Sequence, residues 1–256
     1  MGYTLSSALY VLILFVGMLA LGEVGRRLAH RRAARDPEGT WHGVGVVDGA
    51  IFALLGLIVA FTFSGAVSRF DVRRNLVVEE ANAIGTAYLR LDLLPADSRA
   101  ALRESFRRYV ESRIRSYRLL PDIEAAKAEL AKSKMLQQEI WSRALAASRS
   151  SQSATMLVVP SLNQMFDIAA TRTTSTLFHP PVIVFALLFA LALLASVLVG
   201  YEMAKARSRG WLHTIVFAAV AALAVYVILD LEFPRLGLIR VSAIDQALVE
   251  LRESMN

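Results

Sequence analysis

The sequence predicts an all-α, polytopic membrane protein with four transmembrane helices and a helical-bundle domain between helices two and three. Three observations carry this reading. Four apolar blocks, about Thr4–Gly22, Gly49–Ser68, Pro180–Tyr201 and Trp211–Leu229, each approach the ~20 residues that cross a hydrocarbon core. The hydrophobic content of 55% is concentrated in those blocks, too high and too uneven for an ordinary soluble domain. Between blocks two and three lie about 110 polar residues whose apolar members recur at helical spacing. The organisation is an N-terminal hairpin (1–68), an extramembrane helical domain (69–179), a C-terminal hairpin (180–232) and a tail (233–256).

Each block is a helix because lipid offers no partner for a backbone amide, so the amides must pair within the segment. The first block has no basic stretch before it and no small-residue cleavage site, so it is expected to stay in the protein as a helix. The second block leads without a proline into Ser68–Leu94, where Leu76, Val77, Ile84, Tyr88, Leu91 and Leu94 form one stripe. One long helix is therefore expected, ending before Pro95. Asp97 or Ser98 opens the next, with the stripe Leu102, Phe106, Tyr109, Val110, Ile114 and Tyr117, and Pro121 breaks it. A third carries Ile123, Leu130, Leu136, Ile140 and Leu145 as far as the serine-rich turn Ser148–Ser153. A fourth runs from about Ala154 towards Leu177, with Pro160 as a kink point, and stops at His179-Pro180-Pro181. Stripes of this kind with charged outer faces are what an antiparallel bundle requires.

Several function classes fall away. The chain has no cysteine, which removes disulfides, thiolate metal sites and cysteine nucleophiles. His30, His42, His179 and His213 stand singly, so no local histidine pair offers a zinc site, and no metal or cofactor is expected. No phosphate-binding loop, dinucleotide fingerprint or convergent acid, base and nucleophile is visible, and an enzyme is not expected. The net charge of +6 comes without the aromatic interleaving of a strand-binding groove, so nucleic acid is not an expected partner. Membrane lipid and small anions suit those arginines better.

Arginine placement bears on orientation. Arg26, Arg27, Arg31, Arg32 and Arg35 follow the first block, and Lys205, Arg207 and Arg209 lie between the last two. The positive-inside rule then puts both short loops in the cytoplasm, and the middle domain and both termini outside. Arg69, Arg73, Arg74, Arg172, Arg235 and Arg240 flank the membrane on the other side and weigh against this.

The second block holds the candidate site. Leu57, Phe61 and Gly65 follow one another at four-residue steps, each a rotation of about 40°, so the three share one side of a helix. One reading is a pore lining, since apolar rings gate by dewetting and arginine rings at a mouth, here Arg69 and Arg73, concentrate anions. The other is close helix packing through small residues. Glu79, Glu80 and Asn82 follow on the same helix, as a polar gate or as interhelical salt bridges. Asp230 and Glu232 end the fourth block, where pairing with Arg235 or Arg240 is favoured over cation binding.

The run Leu54-Leu55-Gly56, its apolar successors and the continuation Ser68-Arg69-Phe70-Asp71-Val72-Arg73-Arg74 resemble the pore helix of the bestrophin-like family. Leu229-Asp230-Leu231-Glu232-Phe233-Pro234 resembles the acidic, proline-containing turn after that family's last membrane helix. The similarity is to a bacterial branch related to the bestrophin anion channels. It implies a homopentamer with the second helix around the axis, passive conduction of chloride-type anions, and Leu57 and Phe61 as neck residues. The third neck position falls on Gly65, where the family usually carries a bulky side chain. The family's aromatic pair is replaced by Asn75 and Leu76. The resemblance also implies a cytoplasmic middle domain in an inner-membrane protein, opposite to the arginine count. A second reading keeps the membrane helices as an anchor for a sensory or scaffolding bundle that binds a ligand or partner.

Overall fold

The computed structural model describes residues 2–35, 44–120, 122–204, 211–234, 238–239 and 246–255. Lys205, Arg207, Arg209, Arg235, Arg240, His42 and Pro121 lie outside the described residues. Among those described the regular structure is helical: α1 (Gly2–Arg35), α2 (Val44–Arg90), α3 (Ala96–Arg118), α4 (Ile123–Ser148), α5 (Gln152–Ser175), α6 (Val182–Met203), α7 (Trp211–Glu232) and α8 (Gln246–Ser254). Four of them, α1, α2, α6 and α7, are long and apolar enough to cross a membrane. The chain forms two compact units: Met1–Arg69 with His179–Phe233, and Phe70–Phe178 with Pro234–Asn256. Helix α2 contributes its first part to one and the rest to the other.

In the first unit α1 packs on α6 through small residues. Lipid tails are as apolar as leucine, so membrane helices gain from close backbone approach instead of from apolar burial alone. Gly22 and Gly25 of α1 lie against Ser196, Val197 and Gly200 of α6. A Cβ on Gly25 would stand 2.0 Å from the Val197 carbonyl oxygen, and one on Gly200 would overlap the carbonyl of Gly22. The Ser196 hydroxyl donates to the Met18 carbonyl at 2.5 Å, an interhelical bond that uses a polar group where water is absent. Met18, Gly22, Gly25 and Ala29 follow the helical period, which is why one side of α1 fits this contact. Helix α7 turns Ala218, Ala222, Val225 and Ile228 inward.

The second unit is a water-type bundle. Its core joins Ile84, Ala87, Leu91 and Leu94 to Leu102, Phe106, Tyr109 and Val110, Leu136, Ile140 and Ala144, and Val158, Leu162 and Met165. Each large side chain so buried contributes roughly 1.5–3 kcal/mol by area. Helix α2 gives way at Arg90 to a 3-10 turn, Leu91–Leu93, before the break at Pro95. Helix α3 starts at Ala96 behind Pro95 with no side-chain cap, so neither Asp97 nor Ser98 opens it. Asp122 and Ser151 do cap α4 and α5, accepting from the Ala125 and Ala154 amides. Pro160 sits inside α5 without ending it.

Two findings go beyond these expectations, and the first corrects one. On α4 the inward stripe is Ala126, Ser133, Leu136, Ile140, Ala144 and Ser148, while Ile123 is exposed and Leu130 and Leu145 are half-covered. The Ser112 and Ser133 hydroxyls meet at 2.7 Å, so the α3–α4 contact uses small residues that let the helices approach. The second finding concerns the tail, which packs into the second unit. Leu248 and Met255 are buried in the core of the second unit, and the Met255 carbonyl accepts from Tyr88 Oη and Arg107 Nε.

The α1–α6 contact leads to a graded prediction. Gly25→Ala and Gly200→Ala must push two backbones apart and are expected to cost about 1–3 kcal/mol, as overpacking does. Gly56→Ala, with nothing within 4 Å of the new methyl, should be neutral or slightly stabilising. Thermal unfolding of the three variants in one detergent measures the order.

Candidate functional site

Helix α2 has two sides in its membrane segment. Leu55 and Ala66 are buried, and eleven residues make almost three whole turns, so both face inward. Leu57 and Phe61 lie on the opposite side and are 50% and 67% exposed. Leu54 is exposed beside them, and Phe63 is exposed on another side of the helix. The sequence needs no polar group on this face: Thr62 satisfies its hydroxyl within the helix, donating to the Ile58 carbonyl at 2.7 Å. Gly65 has drifted towards the inner side and is half-buried, with the Arg69 guanidinium lying over it. A Cβ there would stand 3.2 Å from Arg69 Nη1.

Arg69 itself is held. Its guanidinium grips the Glu232 carboxylate, Nε lying 3.0 Å from both oxygens and Nη2 2.9 Å from Oε2. This bidentate geometry is the strong form of an arginine–carboxylate contact. Glu232 is fully buried and also receives His179 Nδ1 at 3.1 Å, and the His179 ring stacks on Phe233 at 4.5 Å. The middle of α2, the end of α7 and the segment just before α6 thus meet at one carboxylate. Asp230, two residues earlier, is also buried.

In the second unit Arg73 is buried and donates to the Ser175 carbonyl at 3.3 Å and the Phe178 carbonyl at 2.9 Å. Both carbonyls lie at or just past the C-terminal end of α5, where a cation is favoured. Glu79, Glu80 and Asn82 do not form one cluster: Glu79 and Asn82 are exposed, and Glu80 points into the core. There Arg113 Nε and Arg172 Nη1 each reach a different Glu80 oxygen at 2.5 Å, and all three side chains are almost wholly buried. Tyr117 completes the group, its hydroxyl 3.1 Å from Arg113 Nη2 and its ring 3.7 Å beneath the Arg172 guanidinium. Burial opposes ionisation of Glu80, but the two guanidiniums outweigh it and hold the carboxyl below its ordinary range. Burial likewise pushes the Tyr109 phenol up, and Gln137 Nε2 donates to its oxygen at 3.0 Å.

Arg113 and Arg172 are the residues that sequence reasoning missed. A signal existed for one of them: Arg113 falls on the apolar stripe of α3, three residues past Val110 and seven past Phe106, where a charge needs a buried partner. Among the described residues no group of three or more histidines, aspartates and glutamates is placed to hold a metal ion.

The Bestrophin-like domain family matches residues 11–245 of the sequence. The chain belongs to the Bestrophin-like family. No curated protein matches it. Two structures of a bacterial bestrophin homologue from Klebsiella pneumoniae, each with one substitution, share its fold with TM-scores of 0.65 and 0.64. At 15% and 16% identity, these alignments cover 92% and 95% of this chain and 98% of theirs. A third structure, described as that of a membrane protein, aligns with a TM-score of 0.61 at 16% identity over 94% of this chain and 97% of its own. The bestrophin-like chain is therefore an all-helical membrane protein with this fold, and the family match stops just short of α8.

The buried Glu80 gives the second unit a distinctive acid response. Glu80→Gln strands two buried guanidiniums and should cost about 3–5 kcal/mol. The folded-state pKa of Glu80 is lowered, so its stabilisation is complete above the unfolded value and is lost as pH falls through the folded value. Stability should then fall less steeply in acid for the variant than for the wild type, measured by near-ultraviolet circular dichroism. Equal slopes would show that Glu80 is not the titrating group.

Proposed function

We propose that this bestrophin-like protein is a passive anion channel, of the chloride type, whose pore forms where several copies bring α2 together. The observation that carries the reading is the bareness of α2. Only 11% of its apolar membrane window is buried within the chain, against 22% in α1, 28% in α6 and 22% in α7. Leu57 and Phe61 head that uncovered face and serve as the neck, where apolar rings gate by dewetting. Gly65, the third neck position, is half-buried beneath Arg69 and adds no apolar ring. Five copies follow from the resemblance to bestrophins. Arg69 and Arg73 lie past the neck at the mouth, Arg69 with its charge offset by Glu232 and Arg73 with its head on carbonyls. Glu80 belongs to the frame of the bundle and not to a gate.

The test is anion flux into liposomes, with native mass spectrometry of the same preparation. Phe61→Ala should raise flux by widening the neck, because an apolar ring that gates by dewetting is lost. Glu232→Gln should raise it further towards anions by releasing the charge of Arg69. A monomer without flux, or flux indifferent to Phe61, would refute the channel.

The arginines support a bundle on the extracytoplasmic side of the cell membrane. Arginines near membrane helix ends beside short loops resist translocation most, and Arg26, Arg27, Arg31, Arg32 and Arg35 close α1 beside such a loop, whereas Arg69, Arg73 and Arg172 flank the long middle domain, where the rule counts weakly. The cysteine-free sequence allows a clean check. Glu104→Cys on the exposed surface of α3 should react with a membrane-impermeant maleimide in intact cells, and protection there would place the bundle in the cytoplasm.

One observation favours a second reading, the ligand-binding bundle. A cavity of about 380 Å³ lies between α3 and α8, lined by Ile114, Val249, Arg115, Arg118, Glu111 and Arg252 among others. Saturable binding of a small anion by the full-length protein, without flux, would favour it.

A further inference from the structure

We propose that the extension of α1 beyond the bilayer is a binding surface for acidic phospholipid headgroups. The helix is 34 residues long, about 51 Å at 1.5 Å per residue, well past the ~30 Å of hydrocarbon. The level at which it leaves the hydrocarbon is marked independently. Glu23 and Arg26 line one small groove with Trp211, the half-exposed first residue of α7, and tryptophan belongs at the membrane–water interface. Past that groove the two sides of α1 part company. The covered side carries Gly22, Gly25 and Ala29. The open side carries Val24, Arg27, Leu28, Arg31 and Arg35 at steps of three and four, all exposed, with Arg32 beside them.

That order along the open side suits a headgroup layer. Val24 and Leu28 come first, nearest the acyl chains, and the arginines follow with apolar stems that reach back and charged heads that reach out. Arg31 and Arg35 lie about 8 and 14 Å past Arg26 along the helix axis, at and just beyond the phosphate level. Five arginines face a single carboxylate in this stretch, that of Glu23, which takes Arg26 at 2.7 Å and Arg27 at 2.8 Å. Arg31, Arg32 and Arg35 have no hydrogen bond or ion pair among the described residues, although a guanidinium fork is built for bidentate phosphate contact. Charge, level and apolar footing together match an acidic diacyl lipid. A soluble anion would use the charge alone and leave Val24 and Leu28 uncovered.

The experiment uses the full-length protein in mixed detergent micelles with equal amounts of phosphatidylglycerol and phosphatidylcholine, and native mass spectrometry counts the lipids retained. The wild type should prefer phosphatidylglycerol, and Arg31→Gln/Arg32→Gln/Arg35→Gln should lose most of that preference, up to about fivefold per arginine at low salt. The preference should weaken with rising salt. Lysine at the same three positions should keep a large part of it. An unchanged melting temperature of the glutamine variant in detergent alone shows that the loss is not one of folding. Equal retention of the two lipids by the wild type, or an unaltered preference in the glutamine variant, would overturn the proposal. So would abolition of the preference by inorganic phosphate at constant ionic strength, which would make the occupant a soluble anion.

Discussion

The second unit depends on one buried carboxylate. Glu80 on α2 takes Arg113 from α3 and Arg172 from α5, so three helices are fixed at a point where a mispaired charge would be intolerable. Three charged groups in a dry core yield little net stability compared with apolar side chains of the same size. What they enforce is register, because sliding any of the three helices by one turn strands a charge. Tyr117 closes the arrangement by stacking under Arg172 and accepting from Arg113. The apolar stripes around it set how tightly the helices pack, and the ion pairs set which residues meet.

The first unit solves the opposite problem. Inside lipid no helix is driven to another by water, so α1 and α6 associate through backbone proximity at Gly22, Gly25 and Gly200 and through the Ser196–Met18 bond. Helix α2 makes no comparable use of its small residues: Gly56 has nothing within 4 Å of where a side chain would begin. A membrane helix with an open apolar side, bearing Leu57 and Phe61, is left to lipid or to another copy. Past that apolar side, mid-helix, α2 is fastened by Arg69 on Glu232, with His179 and Phe233 alongside. The charge of Arg69 is thereby tied to the last turn of α7, so the electrostatics of that level of α2 depend on a residue 163 positions away.

Much of this was legible. The four membrane helices, the break at Pro95 and the α3 stripe of Leu102, Phe106, Tyr109 and Val110 follow from run length and period, which are local properties. The packing of α8 was legible in principle, since Leu248, Leu251 and Met255 recur at helical spacing, but a nine-residue helix is too short to announce that it docks. The α4 stripe misled because its heaviest residues are not its inward ones. Ser133 and Ala144 face the core, since a close helix contact favours small side chains over large ones.

The sequence by itself determined which segments enter lipid, that the middle section is a series of helices, and the apolar side of α3. These depend on the solvent and on neighbours three or four residues away. Only the tertiary structure decided that Glu80 turns inward while Glu79 and Asn82 turn out, and that Glu232 meets Arg69. It also decided that the apolar side of α2 carrying Leu57 and Phe61 stays uncovered. A charge on a helix fits several partners equally well in the sequence. The choice among them is made by which helix faces are brought within reach, and that is a property of the packed chain.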